Sequence, residues 1–501
     1  MIEIILLVVY VFLLLCIQIY CLGEWLLAII YYRKEAQEVT RLQQIQAKYL
    51  QKDPRKWFSV TVQVPVYNEK YVIARLIDAV CTLQYPADKL QIQIIDDSTD
   101  ETSAIIAQKL AFYQPKGINI AHIQRSERLG FKAGALQNAL ASASGELIAI
   151  FDADFLPSPT YLLETVAFFE DSNLGLVQTR WQHLNQNYSL LTRLQAFALD
   201  AHFTIEQTGR SAGKLFMNFN GTAGIWRKQC IETAGGWQYD TLTEDLDLSY
   251  RAQMLGWKFL YTPHISVVAE LPADMFSYKT QQFRWIKGGI ETAQKLLPQF
   301  WEMPTTPKRK FFGLLHLLNT SMYAIVFLCV VLSVPLFWLK NSFISLNYNQ
   351  FIHYFFLGNV FIFIVYVLSS YNRYNQQKGV GHFLRSFPFF LLLTVGISLH
   401  NSYAIGQAIM RKKTDFIRTP KYNIQQKSDN WLGKSYLLFR QKNNLLWLLE
   451  GALVGYFLMG IMAAFAKKDF SFLGIHLLGF LGFGLVFGYS IKHWLQVRQK
   501  M

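Results

Sequence analysis

The order of apolar and polar segments divides the chain into three parts. Residues 4–31 are apolar with a single acid, Glu24, and exceed the roughly 20 residues that cross a bilayer. Residues 33–310 are polar and mixed, and from about residue 311 the chain becomes apolar again. The pattern predicts a transmembrane helix over 1–32, a polar domain over 33–310 and a membrane region over 311–501.

Within the polar domain, short β-branched runs alternate with segments of helical periodicity. The pattern predicts strands at 57–66, 90–96, 118–124 and 146–152, separated by helices at 70–83, 100–113 and 132–143. This alternation is typical of βαβ crossovers and predicts an α/β fold whose sheet is mainly parallel. Such sheets bind ligands at the carboxyl ends of their strands, so polar residues that follow strands are the first candidates for a site.

The C-terminal part contains five apolar segments that are each long enough to span a bilayer: 311–339, 351–370, 386–409, 445–466 and 471–491. The loops 371–385 and 411–442 are rich in Lys and Arg, which places both loops in the cytosol together with the polar domain. Because both ends of 386–409 then lie on one side, we predict that this segment lies in the interface or re-enters. Five true spans remain.

Composition agrees with a membrane protein. Charged residues make up 16% of the chain, below the usual share of about a quarter. The net charge of +14 is attributed to an anionic lipid surface, and not to nucleic acid, because the polar part has no basic cluster interleaved with aromatics. The five cysteines show no metal-binding spacing and are interpreted as reduced packing residues.

Acidic residues follow three of the predicted strands. Asp152 and Asp154 in "FDADF" can bind a hard divalent cation such as Mg²⁺ or Mn²⁺, or can be solvated turn residues. Asp97 can bind a nucleobase or ribose, or belong to a capped helix start. "PVYNE" (65–69) ends the first strand at the same edge, where Asn68 can also act as a cap.

Two further motifs lie at predicted helix starts. Lys132 in "RLGFKAGAL" is placed to contact a phosphate, or belongs to an ordinary loop-to-helix entry. Glu244 and Asp245 open "EDLDLSYRAQM", where Asp245 can be a general base for a hydroxyl group or the two acids can complement the helix dipole. "FNGTAGIWR" (219–227) can line a sugar cleft or form a tight turn.

Gln281, Arg284 and Trp285 in "KTQQFRWIKGG" are spaced i, i+3 and i+4, so they share one side of a helix, here called the Gln–Arg–Trp face. That face is either a packed surface or a site for an anion beside a flat apolar ligand. "RTPKYN" (418–423) lies in the basic loop 411–442, here called the flap. It is either a retention sequence or a mobile element whose basic residues reach a diphosphate.

The order of these motifs resembles that of the inverting synthases of glycosyltransferase family 2, above all the cellulose synthase-like branch. "NGTAGIWR", "AGGW", "TEDLDLSYRA", "GWKF", "ELP" and "QQFRW" are similar to the motifs of mannan, glucomannan and xyloglucan-backbone synthases. The resemblance covers roughly residues 57–300, and more loosely the membrane part through the flap.

The resemblance implies a nucleotide-sugar-binding domain of the GT-A type, attached to an α-helical membrane region. It implies a role for each candidate residue: donor binding by Pro65, Tyr67, Glu69, Asp97, Lys132, Asp152 and Arg284; metal binding by Asp154 and Asp152; acceptor binding by Glu244, Gln281 and Trp285; and general-base catalysis by Asp245. The implied partners are a nucleotide sugar (UDP-glucose or GDP-mannose), a glycan acceptor and the bilayer.

Three functions remain open at this point. The first is a processive β-glycan synthase that exports its product, and the second is a non-processive enzyme that glycosylates a lipid. The third is a transporter or receptor with a degenerate domain, which the joint presence of a metal acid, a base and an anion-binding arginine argues against. Oligomeric state is not indicated by the sequence.

Overall fold

The computed structural model describes residues 2–339, 348–374, 377–434 and 446–499. Seven strands form one sheet: β1 Val60–Val66, β2 Leu90–Asp96, β3 Ile120–Gln124, β4 Leu147–Ile150, β5 Leu174–His183, β6 Gly224–Arg227 and β7 Lys258–Ala269. The helices up to the end of the polar domain are α1 Ile2–Leu50, α2 Ile73–Cys81, α3 Thr102–Tyr113, α4 Phe131–Leu140, α5 Tyr161–Thr165, α6 Leu190–Ala201, α7 Gln207–Ala212, α8 Lys228–Thr233, α9 Glu244–Met254 and α10 Met275–Glu302. The remaining helices are α11 Pro307–Leu317, α12 Met322–Leu339, α13 Tyr348–Tyr374, α14 Gln377–Ile409, α15 Leu446–Ala466 and α16 Leu473–Arg498.

The sheet is mixed and mainly parallel, with strand order β3-β2-β1-β4-β6-β5-β7. Strands β1 to β4 are parallel neighbours, and only β6 runs antiparallel to the strands beside it. The four predicted strands are confirmed, whereas β5, β6 and β7 were not predicted. Since β1, β2 and β4 are parallel, the residues that follow them emerge at one edge of the sheet.

Both faces of the central strands are covered, and in β4, LIAI, this is the reason that the sequence is a continuous apolar run. Leu147 and Ala149 of β4 pack into one core cluster, together with the buried side chains of α2. Ile148 and Ile150 point the other way, into a cluster that contains Leu136 of α4. The sheet is therefore a rigid support for the loops at its carboxyl edge.

Helix α1 extends beyond the predicted boundary at residue 32. It is continuous for 49 residues, through Leu50. Leu42 and Tyr49 are buried in the same core cluster as β1, and the Tyr49 hydroxyl accepts a hydrogen bond from the Phe58 backbone N–H at 3.0 Å. The prediction that the N-terminal helix ends before the polar domain is therefore wrong, because packing against that domain supports the charged half of the helix.

In the described part of the chain, five helical segments are long and apolar enough to cross a membrane: Glu3–Leu50, Asn319–Leu339, Lys378–Ile409, Leu446–Ala466 and Leu473–Arg498. The predicted span at 351–370 lies within α13, but several of its side chains fall outside the described residues, so it stays a prediction.

Helix α14 contains the segment 386–409 and is unbroken, so the re-entrant alternative is wrong. Its N-terminal half contacts α6, where the Phe390 and Phe197 rings lie 5.6 Å apart. Its C-terminal half contacts α10, where His400 Nε2 lies 2.9 Å from the Lys279 carbonyl oxygen and Ala408 packs near Ile290. Because α6 and α10 both follow directly from the sheet domain, an interfacial position for α14 remains our prediction.

Candidate active site

One cavity at the carboxyl edge of the sheet gathers nearly all of the candidate residues. Its lining includes every one of them except Glu69: Pro65, Tyr67, Asp97, Lys132, Asp152, Asp154, Glu244, Asp245, Gln281, Arg284 and Trp285. These residues come from the ends of β1, β2 and β4 and from α4, α9 and α10. We call this space the first cavity.

Lys132 and Asp152 form an ion pair at the floor of the first cavity. Lys132 Nζ lies 2.7 Å from Asp152 Oδ1 and donates a hydrogen bond of 2.7 Å to the Gly221 carbonyl. Burial works against both charges, but the pair outweighs it: the pKa of Asp152 is lowered and that of Lys132 is raised. Gly221 has φ +81°, and a Cβ there would approach Asp245 Oδ2 to 3.0 Å. The turn in "NGTAGIWR" therefore closes onto the site, and β6 follows it.

Asp154 is fully buried and uses one carboxylate oxygen for contacts within the protein. Its Oδ2 accepts hydrogen bonds from the Lys421 ammonium at 2.9 Å and from the Glu270 backbone N–H at 3.0 Å. Its Oδ1 is buried and has no hydrogen-bond partner. A buried carboxylate oxygen without a partner is costly unless a ligand satisfies it.

That oxygen fits a divalent cation. In residues 2–339, 348–374, 377–434 and 446–499, no group of three or more His, Cys, Asp or Glu side chains is placed to hold a metal by itself. A cation bound to Asp154 and Asp152 would therefore take its other ligands from the diphosphate and water, as Mg²⁺ often does.

Asp97 is held in place by Arg125. Arg125 Nε donates to Asp97 Oδ1 at 2.9 Å, and a second guanidinium nitrogen donates to Asp97 Oδ2. Beside this pair, the Arg128 guanidinium stacks 3.3 Å above the Tyr67 ring. Burial lowers the pKa of Arg128, and its Nε has no hydrogen-bond partner. The alternative in which Asp97 belongs to a capped helix start is wrong, because α3 begins later, at Thr102.

Glu244 and Asp245 open α9 as expected and face the first cavity. Burial, with the adjacent Glu244 carboxylate, raises the pKa of Asp245 to about 7, while Lys132 opposes the shift. Asp245 Oδ1 accepts a hydrogen bond from the Leu246 backbone N–H at 2.8 Å. A carboxyl group that titrates near neutral pH is suited to take a proton from a hydroxyl group.

The Gln–Arg–Trp face of α10 also lines the first cavity. Asp274 caps this helix, accepting hydrogen bonds from the Phe276 and Ser277 backbone N–H groups at 2.9 Å each. Burial lowers the pKa of Arg284, whose guanidinium lies 4.6 Å from the Phe416 ring of the flap. Arg284 is thus a desolvated cation that faces the cavity.

Four residues of the flap line the first cavity, namely Phe416, Arg418, Thr419 and Lys421, and two buried acids hold this part of the flap. Arg418 Nε lies 2.5 Å from Glu69 Oε1, and burial raises the pKa of Glu69 to about 8 against the effect of Arg418. The two carboxylate oxygens of Glu270 accept the backbone N–H groups of Tyr422 and Asn423, at 2.8 Å each. Glu69 therefore contacts the flap and does not line the first cavity, and donor binding by Glu69 stays a prediction.

A second cavity adjoins the first one. Both cavities are lined by Asp245, Gln281 and Trp285, so Asp245 lies where they meet. The second cavity is rich in aromatic and aliphatic side chains and reaches helices that are candidate spans; among its lining residues are Tyr20, Leu194, Tyr278, Tyr323, Phe390 and Ile397.

Several residues of the site were not singled out from the sequence. Trp181 and His183 line the first cavity from β5, a strand that was not predicted. Glu270 was noticed only as part of "ELP". Arg128 is the first residue of "RLGFKAGAL", the motif around Lys132, so its place in that motif was the available signal.

The chain is similar in sequence to known glycosyltransferases. A family model described as "Glycosyltransferase like family 2" matches residues 54–288. The chain is 46% identical over 242 residues to probable glucomannan 4-beta-mannosyltransferase 7 of Oryza sativa subsp. japonica, which covers 47% of this chain and 41% of that protein. It is 39% identical over 291 residues to glucomannan 4-beta-mannosyltransferase 2 of Arabidopsis thaliana, or 55% of this chain and 54% of that one. The chain thus spans about half the length of these curated relatives.

A solved structure shares the fold. It is a mannosyltransferase from Pyrobaculum calidifontis in complex with GDP-Man and Mn²⁺, which matches with a TM-score of 0.53 at 19% identity and covers 81% of this chain and 100% of that one. The mixed, mainly parallel sheet is that of a GT-A-type domain, as the resemblance implied. Residues 54–288 thus match glycosyltransferase family 2, and the chain is similar to the glucomannan 4-beta-mannosyltransferases.

Proposed function

We propose that this protein transfers mannose from GDP-mannose to a growing β-glycan and moves the product into the membrane region. The reaction is a single displacement that inverts the anomeric carbon. The sheet domain and the flap lie on the cytosolic side, where the nucleotide sugar is available. The names of the relatives, which are glucomannan 4-beta-mannosyltransferases, favour mannose over glucose as the transferred sugar.

The observation that carries this proposal is the position of Asp245 between two chemically different cavities. On one side, Lys132 and Arg284 provide positive charge for a diphosphate. On the other side, aromatic side chains of three candidate membrane helices line the second cavity, among them Tyr20, Tyr323 and Phe390. A base at this junction is placed between an anionic donor and an acceptor that enters from the membrane side.

The proposed residues account for the movement of charge. Asp245 takes the proton of the acceptor hydroxyl group, whose oxygen attacks the anomeric carbon on the face opposite the diphosphate. The bond between that carbon and the diphosphate oxygen breaks, and its electron pair leaves with the nucleoside diphosphate. Lys132 and Arg284 stabilise the negative charge that develops on this leaving group. Their electrostatic attraction is stronger in a buried site than in water, because the dielectric constant there is lower.

Asp154 and Asp152 are the residues that would hold Mg²⁺ or Mn²⁺, which when bound would add positive charge beside the leaving diphosphate. The unpartnered Asp154 Oδ1 supports this assignment. Trp285 offers a flat apolar face to the acceptor sugar at the entrance of the second cavity.

A glycolipid product is the second candidate, because the aliphatic part of the second cavity also suits an acyl chain. Leu194, Leu393 and Ile397 lie in this part of the lining. In that case the enzyme adds one sugar to a membrane lipid and does not polymerise.

Purified protein in nanodiscs, incubated with radiolabelled GDP-mannose, GDP-glucose, UDP-glucose or UDP-GlcNAc, tests both candidates. We expect incorporation from GDP-mannose into a polymer that an endo-β-mannanase degrades. A single-sugar product that is extracted by chloroform and methanol would refute polymerisation. Incorporation from a uridine donor alone would refute the assignment of the donor. Asp245→Asn protein is the matched negative control.

A further inference from the structure

A buried ion pair connects the helix that carries the Gln–Arg–Trp face to the C-terminal helices. Lys279 Nζ of α10 lies 2.6 Å from Glu450 Oε1 of α15 and donates a hydrogen bond of 2.9 Å to Ser490 Oγ of α16. The Glu450 side chain is fully buried, and 9% of the Lys279 side chain is exposed. Neither residue lines the first or the second cavity.

A buried ion pair joins two helices at a large cost in desolvation free energy. Removing two charges from water costs more than packing apolar side chains of the same size, so a buried ion pair is weak evidence for stability alone. Ionisable residues in membrane helices usually have a functional role. The pair therefore calls for a function that an apolar contact cannot provide.

The geometry of α10 indicates that function. Each residue turns an α-helix by about 100°, so Gln281 lies about 200° from Lys279 around the helix axis. On the same count Arg284 lies about 140° and Trp285 about 240° from Lys279. The ion pair is thus on the side of α10 roughly opposite the Gln–Arg–Trp face, and any rotation of the helix that the pair permits turns that face by the same angle.

Other contacts also hold this side of α10, among them a hydrogen bond from His400 Nε2 of α14 to the Lys279 carbonyl oxygen at 2.9 Å. Ile286 and Ile290 pack against aliphatic side chains of α14, which tolerate sliding and rotation. The first turn is held by the Met275 backbone N–H, which donates to His493 Nδ1 of α16 at 3.0 Å. The Lys279–Glu450 ion pair, with the Ser490 hydroxyl group, lies one turn further along α10. It fixes both the distance and the direction between Lys279 and the C-terminal helices.

We propose that Lys279 and Glu450 are a positioning pair that fixes the rotation of α10, and with it the placement of Gln281, Arg284 and Trp285 in the active site. The consequence for turnover rests on the proposed function. A rotation of about 10° displaces an atom about 6 Å from the helix axis by about 1 Å. A misplacement of that size can cost on the order of a hundredfold in rate.

The test compares Glu450→Gln, Lys279→Met and the double variant Lys279→Met/Glu450→Met with Lys295→Met. Lys295 is a matched control because it forms ion pairs from the same helix, with Asp240 at 2.7 Å and Asp247 at 2.9 Å. It lies 16 residues further along α10, about 24 Å away. Three quantities are measured for each protein in nanodiscs: hydrogen exchange of peptides from α10, the affinity for GDP, and kcat with the donor that the wild-type protein uses.

In Glu450→Gln and Lys279→Met we expect faster exchange in residues 279–288, GDP affinity within about threefold of the wild type, and kcat lowered by about tenfold or more. The double variant should regain thermal stability but not kcat, because methionines pack well without fixing the rotation. Lys295→Met should keep kcat within about threefold.

Recovery of both stability and kcat in the double variant would overturn the proposal, since the pair would then serve packing only. Unchanged exchange in α10 in the single variants would also overturn it. If wild-type protein turns over none of the donors, the proposed function fails, but the exchange data still decide whether the pair positions α10.

Discussion

The rate of the proposed reaction should depend on pH through Asp245. Burial and the Glu244 carboxylate raise the pKa of this carboxyl group to about 7, from an ordinary value near 4. A base works only in its ionised form, so kcat/KM should rise with pH through this range and level off above it. The nucleotide sugar adds no titration here, because both protons of its diphosphate are lost at far lower pH.

The magnitude follows from the position of the pKa. At pH 6, one unit below a pKa of about 7, about 9% of Asp245 is ionised, so kcat/KM should be about tenfold below its plateau. Glu244→Gln removes the nearby charge that raises the pKa, so the rising limb should move to lower pH. It should stay above pH 4, because burial is the larger cause of the shift and is unchanged in this variant.

The assay is the initial rate of sugar incorporation at donor concentrations below KM, measured between pH 5.5 and 8.5. GDP binding by calorimetry at each pH is the control for a loss of donor affinity. Asp245→Asn, which keeps the shape of the side chain, should lower kcat by about a hundredfold or more.

Two results would refute this reasoning. One is a kcat/KM that stays flat between pH 6 and 8 while donor binding is also constant, since no base would then titrate near 7. The other is an Asp245→Asn protein with more than about a tenth of wild-type kcat, which would move the role of base to another residue.

Three further predictions concern the cation, the flap and the acceptor. In Lys421→Met the Asp154 carboxylate loses its ammonium partner, so Mn²⁺ should raise the melting temperature more in this variant than in the wild type; equal shifts would contradict a metal at Asp154. In Glu270→Gln an amide nitrogen replaces one of the two carboxylate oxygens that accept backbone N–H groups of the flap, so the variant should raise the donor KM by about tenfold with a smaller effect on kcat, which steady-state kinetics will check. Trp285→Ala should shorten the product or raise the acceptor KM by about two- to tenfold while Trp285→Phe keeps most activity, and equal behaviour of the two variants would exclude a role for the ring.

The predictable parts of the fold are those that local pattern determines. Strands β1 to β4 were evident because they are short runs rich in β-branched residues that alternate with segments of helical periodicity. Strand β6 is four residues long and follows a glycine turn, and β7 contains Pro263 and several polar side chains, so neither has a clear periodicity. The polar half of α1 was missed because its helix depends on packing by Leu42 and Tyr49, which hydropathy does not report.

The same distinction holds for the site. The acids could be predicted to meet because parallel strands bring Asp97, Asp152 and Asp154 to one edge. The partners of these acids could not, because Lys421 pairs with Asp154 across 267 positions of the chain. The contact of Glu69 with Arg418 could not be predicted either, because Arg418 lies in the distant flap. Long-range charge pairing leaves no periodic signal in the sequence.

The continuity of α1 has a mechanical consequence. At 1.5 Å per residue its 49 residues extend about 73 Å, well over twice the thickness of the hydrocarbon layer. Tyr49, at the C-terminal end of the helix, is buried in the sheet core. With residues 4–31 in the bilayer as predicted, the helix therefore sets the distance of the sheet from the bilayer and the orientation of the sheet about the membrane normal. One residue inserted between positions 34 and 40 would lift that end by about 1.5 Å and turn it by about 100°. We therefore expect the number of residues in this polar stretch to be constrained, whereas the identity of its exposed side chains can vary.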